Sequence, residues 1–323
     1  MTDSKGISIP ARVIPTPNSI SPEAYAFLAA NRSIPAPQFP ASDKDAWRQY
    51  IEQVERQMVV ISEMRAKPYP AKIIEHALTN STLYEVVPDN LSAEYEDKAI
   101  LEIHGGAFIV GGGRSAAYIA QPIAFKTGIR TFSIDYRMPP DHPFPAGLDD
   151  CVEAYEFLLK RYKPSCIAIH GASAGANLSA ATILKARDSG LSIPGVCALH
   201  TAGVDMSHSG DTFITNAYID IVLREAPDNV RQLYAGNNDY KDPYLSPVFG
   251  DFSKGFPPTI LLSGTRDLLL SPTVMMHRAL RRAGLEAELH VFEAMPHGGF
   301  AGMAPEDEEL LSETARFITA HLG

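Results

Sequence analysis

A serine hydroxyl is a poor nucleophile until a base takes its proton and a third group holds that base in place. In this chain of 323 residues the run Gly171-Ala172-Ser173-Ala174-Gly175 follows the apolar stretch CIAIH and leads into a helical pattern beginning near Ala176. A G-x-S-x-G string by itself is weak. Its position between a strand and a helix gives it weight, because a turn that sharp needs small residues beside the serine and leaves Oγ projecting above the sheet. The following helix directs its free N–H groups to the same place, which suits a developing anion. Ser173 is the candidate nucleophile.

The base and its orienting acid appear further along. Asp267 lies just past the apolar run TILLSG, and His297 lies just past ELHVFEAM, in PHGG. Both follow strand-like runs, so both project from the same edge as Ser173. His170 and His200 sit in or at the end of apolar strands and read as satisfied core residues. His208, His277, His290 and His321 have no strand-end setting. Glu293 competes with Asp267 as orienting acid, but it precedes His297 on the same strand and would have to turn back.

An oxyanion also needs donors. His104-Gly105-Gly106-Ala107 follows AILEI, two strands before the elbow. Consecutive glycines let backbone N–H groups reach a ligand without a Cβ in the way. Gly105, Gly106 and Ala174 are the candidate donors. Gly111-Gly112-Gly113 has no role in this chemistry and reads as a loop passing close beneath a lid. Asp135, Arg137, Asp141, Asp149 and Asp150, in DYRMPPDHPFPAGLDD, read as a brace for the glycine loop, with His104 tying its own loop to backbone. Phe108, Ile109, Phe213, Tyr218, Ile219 and Leu268 are candidate substrate-pocket residues, as is Tyr118, with lid or core packing as the alternative.

These residues require a scaffold that brings strand ends together. From about Lys72, short apolar runs alternate with plausible helices such as Asp149 to Tyr162 and Ala176 to Asp188, after an antiparallel pair KIIEHAL and TLYEVV. That alternation predicts an α/β fold with a mostly parallel sheet covered on both faces. Right-handed crossovers then collect the strand C-termini along one edge. Two segments stand apart. Residues 1–70 are proline-rich and then helical, with a short helix opening at Ser21-Pro22. A longer one is capped at Ser42, its apolar face running through Trp47, Tyr50, Ile51, Val54, Met58, Ile61 and Met64. Residues 206–252 interrupt the alternation, with a helix expected around Asn216 to Leu223. Together they make a lid over a catalytic domain of residues 71–205 and 253–323.

In this order, HGGAF, DYRMPPDHPFPAGLDD, GASAGANL, DPYLSP, GTRDLLLS and MPHGGF resemble the hormone-sensitive-lipase-like family of α/β-hydrolase esterases (bacterial family IV), over roughly residues 72–323. The resemblance implies an eight-stranded α/β-hydrolase sheet, a helical cap, and carboxylic-ester hydrolysis without cofactor or metal. By motif it makes Ser173 the nucleophile, His297 base and then acid, Asp267 its orienting partner, and Gly105, Gly106 and Ala174 the oxyanion hole. It also makes homodimerisation an expectation. Three positions depart from the family pattern, one of them Ala176, which stands where a further glycine commonly follows the elbow. Ala107 stands where a third glycine is usual and keeps its N–H, while its methyl trims space for bulky esters. Ala172 stands where Asp or Thr is common and removes a hydrogen-bonding side chain beside the nucleophile. Hydrolysis of short- to medium-chain esters is the leading reading. A lactone hydrolase with the same triad, a formamidase, and a non-catalytic small-molecule receptor are the alternatives.

Composition narrows the field. With 28 Lys and Arg against 38 Asp and Glu, the formal charge is −10, which argues against a nucleic-acid surface or docking on anionic lipid. No basic head precedes an apolar block at the N-terminus and no run approaches a membrane span, so a cytoplasmic protein is expected. Cys151, Cys166 and Cys197 cannot all pair and have no metal-ligand spacing, so buried free thiols are expected.

Overall fold

Eight runs of five to seven residues form strands: β1 Ala71–Ala77, β2 Thr82–Pro88, β3 Ala99–Ile103, β4 Thr131–Asp135, β5 Ile167–Ala172, β6 Val196–His200, β7 Thr259–Gly264 and β8 Ala287–Phe292. The structure is a computed structural model that describes residues 6–7, 9–30, 37–225 and 227–323. The strands join in one sheet of order β1-β2-β4-β3-β5-β6-β7-β8. β1 pairs antiparallel with β2, and β2 with β4; every later pairing is parallel. The C-termini of β3 to β8 therefore share one edge, and the loops bearing His104, Ser173, Asp267 and His297 leave from it.

Side-chain alternation assigns the two faces. Leu101, Ile103, Phe132, Ile169, Leu199 and Leu261 point to one cluster, and Ile100, Ala168, Ala198, Ile260 and Leu262 to the other. Nine helices are described: α1 Pro22–Ala29, α2 Lys44–Ala66, α3 Arg114–Thr127, α4 Ala146–Leu159, α5 Ala174–Asp188, α6 Thr212–Thr215, α7 Asp228–Ala235, α8 Leu270–Arg282 and α9 Pro305–His321. Helices α4, α5 and α8 cover the first face, while Ile123 of α3 and Phe317 and Ile318 of α9 cover the second. Among the described residues no helix is long and apolar enough to cross a membrane. All three cysteines are free and buried.

The N-terminal helices and the segment after β6 meet over the sheet edge. Trp47 of α2 is fully buried with Ile109, Val110 and Leu233, and its ring meets those of Phe39 and Tyr50 edge-on. Asn229 donates to the carbonyls of Pro37 and Phe39 at 2.7 and 2.8 Å. α1 packs Phe27 on Phe300, beside the His297 loop. Two details differ from the sequence reading. Asp43, not Ser42, caps α2, its Oδ1 accepting from the N–H of Ala46 at 3.1 Å. No helix covers Asn216–Leu223; the helix lies earlier, at α6, and turns follow it. The Asp220 side chain accepts from the N–H groups of Val222 and Leu223. Such local bonding offers the backbone an alternative to the helix ladder.

Candidate active site

Ser173 stands between β5 and α5 at φ 58° and ψ −119°, a conformation an L-residue adopts only when its surroundings impose it. The flanking glycines explain how it is held. A Cβ on Gly175 would lie 1.9 Å from the Ile103 carbonyl, and one on Gly171 would lie 2.6 Å from the Gly175 backbone. Helix α5 begins at Ala174, immediately after the serine rather than two residues later, so its unpaired first-turn N–H groups start there.

His297 Nε2 lies 2.8 Å from Ser173 Oγ, and Nδ1 lies 3.0 Å from Asp267 Oδ1. An ionised carboxylate only accepts, so the Nδ1 proton points to Asp267 and bare Nε2 faces the serine hydroxyl. Asp267 is fully buried and further fixed by the Ser263 hydroxyl at 2.6 Å and the Leu269 N–H at 2.9 Å. Burial is the largest influence on His297 and lowers its pKa. The hydrogen bond to Asp267 and the charges of Asp267 and Asp220 together outweigh it, so the net shift is upward from 6.5. This favours the imidazolium that forms when the base takes a proton.

The glycine loop meets the serine from the next strand. Gly105 sits so close to the elbow that a Cβ there would lie 2.7 Å from the Ala172 carbonyl, and Gly106, at φ 117°, has no room beside the Val110 carbonyl. His104 stacks on Tyr136, whose hydroxyl donates to the His104 carbonyl at 3.0 Å, while its Nδ1 lies 2.8 Å from the Gly105 carbonyl. Burial drives its pKa down to about 4. His104 thus braces the loop as a neutral ring. In the Asp/Arg block, Arg137 is forked onto Asp150 and Arg48 of α2 pairs with Asp141, while Asp135 accepts from the backbone N–H of Gly113 in the second glycine cluster. The second glycine cluster is gripped from above: Glu55 of α2 accepts from Gly111 and Gly112 at 2.6 and 3.1 Å.

A cavity of about 430 Å³ opens on this array. Its wall includes Gly106, Ala174, Ser173 and His297, and of the expected pocket residues Phe108 and Phe213. The others lie elsewhere. Ile109 is buried against Trp47, Tyr218 is 69% exposed, and Leu268 is fully buried while its neighbour Leu269 takes the wall position. Ile219 and Tyr118 are also outside the wall. Sequence reasoning missed Met58, Met206, His208 and Leu269 on the wall, and Asp220 between the Asp267 and His297 loops. Fully buried Asp220 accepts from the N–H of Leu268 at 2.9 Å and of His297 at 3.1 Å, joining the two loops that carry acid and base. The sole sequence signal for it is an acid amid the apolar string AYIDIVL.

His170 and His200 are the core residues expected. His170 pairs with Glu102, lies 3.3 Å from His200, and His200 meets Thr314 of α9 at 2.8 Å, all on the face away from α5. Among the described residues, one group of acids and histidines is close enough to hold a metal: Asp220, Asp267 and His297, within 4.8 Å. Their ligand atoms are already occupied as acceptors of N–H and O–H groups or as the imidazole donor. The geometry allows a proton to move between Ser173 Oγ and His297 Nε2.

Residues 100–301 match the family described as alpha/beta hydrolase fold. The chain belongs to this family. Its structure superposes on the crystal structure of esterase E25 with a TM-score of 0.90 at 35% identity, over 98% of this chain and 99% of that one. An esterase from the bacterial hormone-sensitive lipase family gives 0.80 at 26% identity, over 94% and 99%. Carboxylesterase NlhH of Mycobacterium tuberculosis is 32% identical over 237 residues, 69% of this chain and 72% of that protein. The chain is thus a hydrolase of the bacterial hormone-sensitive-lipase branch, as its motifs imply.

Proposed function

We propose that the protein is a serine carboxylesterase acting on short- to medium-chain esters through an acyl-enzyme on Ser173. The observation that carries the reading is the unbroken chain Asp267–His297–Ser173, at 3.0 and 2.8 Å, opening into the apolar cavity. His297 Nε2 takes the hydroxyl proton as Oγ attacks the ester carbonyl. The oxyanion collects against the N–H groups of Gly105, Gly106 and Ala174. The imidazolium returns its proton to the leaving alkoxide, and water activated by the same nitrogen releases the acid. Residues 1–70 and 206–252 act as the cap. The cavity lies toward the small end of ligand sites, about 300–1,000 Å³, which supports compact esters over long-chain lipids.

The test is hydrolysis of p-nitrophenyl esters from acetate to dodecanoate by wild type and Ser173→Ala, with fluorophosphonate labelling of the serine. A short-chain optimum that vanishes in the variant, on the order of 10⁴-fold or more, is expected. Retained turnover in Ser173→Ala overturns the assignment.

A further inference from the structure

Ester hydrolysis at Ser173 uses two of the polar side chains on the cavity wall, Ser173 and His297. The wall carries three more: Asp205, His208 and Arg231. Two of these are already engaged. The Asp205 carboxylate accepts from the backbone and hydroxyl of both Ser207 and Ser209, at 2.5 to 3.0 Å. Arg231 donates to the Met206 carbonyl at 2.8 Å, pairs with Asp228 and lies 4.3 Å above the Tyr240 ring.

His208 is different. Its ring stacks on Phe213 with centroids 4.4 Å apart, and neither ring nitrogen has a hydrogen-bond partner among the described residues. The nitrogens are not sealed in apolar packing either. Burial, helped by the Arg231 charge and opposed by Asp205 and Asp228, lowers its pKa to about 4. At neutral pH it is an uncharged ring with one N–H donor and one bare nitrogen.

We propose that His208 determines specificity by hydrogen-bonding an uncharged oxygen function, a hydroxyl, keto or ether oxygen, that the ester carries outside its reacting group. The inference rests on the cavity being the ester site. A plain alkyl chain lodged against this ring would displace water and leave a polar group unpaired, which typically costs about tenfold in affinity. A carboxylate-tailed ester gains nothing in exchange, because the ring is neutral, the Arg231 charge is matched by Asp228, and Asp205 stands on the same wall. The favoured substrates are therefore oxygenated, neutral esters.

Two matched pairs test this. p-Nitrophenyl levulinate against p-nitrophenyl valerate places a keto oxygen in the acyl part; 2-methoxyethyl acetate against butyl acetate places an ether oxygen in the alcohol part. Each kcat/KM ratio is referred to the same ratio in alkaline hydrolysis. Wild type is expected to favour the oxygenated member of at least one pair by about tenfold, through KM. His208→Phe is expected to bring that ratio to one or below, and His208→Gln to keep part of it. The ratio is read within a single variant, so a general loss of activity cancels. Flat ratios in wild type, a preference that survives His208→Phe, or a preference for the p-nitrophenyl succinate monoester overturns the proposal. Turnover that persists in Ser173→Ala overturns the underlying ester-site reading and this inference with it, whereas Ser173-dependent turnover with flat ratios removes this inference alone.

Discussion

The floor and the roof of the cavity are built on different terms. On the floor, Ser173 and Gly106 occupy turns whose backbone admits few residues, at the C-terminal ends of paired strands, and Ala174 opens α5 beside them. On the roof, Met58, Phe213 and Val230 come from α2 and the segment after β6, and nothing but apolar contact selects them. The floor therefore holds reacting atoms to hydrogen-bond precision, while the roof holds volume. Substitutions on the floor should register in kcat, and those on the roof in KM and selectivity. Two residues belong to roof segments yet grip the floor: Asp220 and Glu55. They are the sharpest probes of the division.

The largest effect is expected at Asp267→Asn, where kcat should fall by on the order of 10⁴-fold through loss of the tautomer that leaves Nε2 bare. The pH profile adds a sign. His297 must be neutral to act as base, and its raised pKa puts the acid limb of kcat/KM above 6.5. Asp267→Asn removes the main opposition to burial, so any residual activity should show that limb at lower pH. Asp220→Asn removes one charge and should move the limb the same way by less. It also leaves a poorer acceptor for the buried N–H groups of Leu268 and His297, so kcat should drop by roughly 10- to 100-fold. A limb that stays in place in both variants breaks the account of the base.

The same division explains what could be read in the sequence. Ser173, Asp267, His297 and the HGG loop were legible because strand-end chemistry leaves marks in residue type: small residues at the elbow, glycines against a neighbouring backbone, an acid and a histidine after apolar runs. The sheet was legible for a related reason, since strands buried on both faces need unbroken apolar runs. Asp220 was not, because an acid that binds backbone N–H groups has no characteristic spacing. The expected helix over 216–223 failed at the same residue, whose carboxylate takes the N–H groups of Val222 and Leu223, with Tyr218 at φ 65°. Ile109 and Leu268 were misassigned because an apolar side chain does not announce which cavity or core it fills. Each is one residue away from a true wall position, Val110 and Leu269.

Glu55 tests the roof-to-floor link more gently. Its carboxylate holds Gly111 and Gly112, and Gly111 packs against the Gly105 carbonyl and the His104 ring, one step from the proposed oxyanion donors. Glu55→Ala should lower kcat by roughly tenfold and weaken a boronic-acid transition-state analogue in proportion. Glu55→Gln, which retains an oxygen acceptor, should recover part of both. A loss of kcat without weaker analogue binding would mean that the clamp supports folding and not the donors.

The smallest effect on kcat is expected at Phe213→Ala, wholly on the roof, where the change should fall on KM instead. The ring is half-buried on the cavity wall with His208 stacked on it, and no hydrogen bond from its side chain reaches the triad. Removing it takes away apolar contact worth on the order of 1–2 kcal/mol for a partly buried aromatic, or roughly 5- to 30-fold in affinity for an ester long enough to touch it. KM for p-nitrophenyl hexanoate should rise within that range, while KM for the acetate, too short to span the cavity, should move far less. The comparison between the two esters separates a lost wall from a disturbed base, since a displaced His297 would depress kcat for both alike. Equal losses on acetate and hexanoate would therefore show that the roof shapes the chemistry as well as the space.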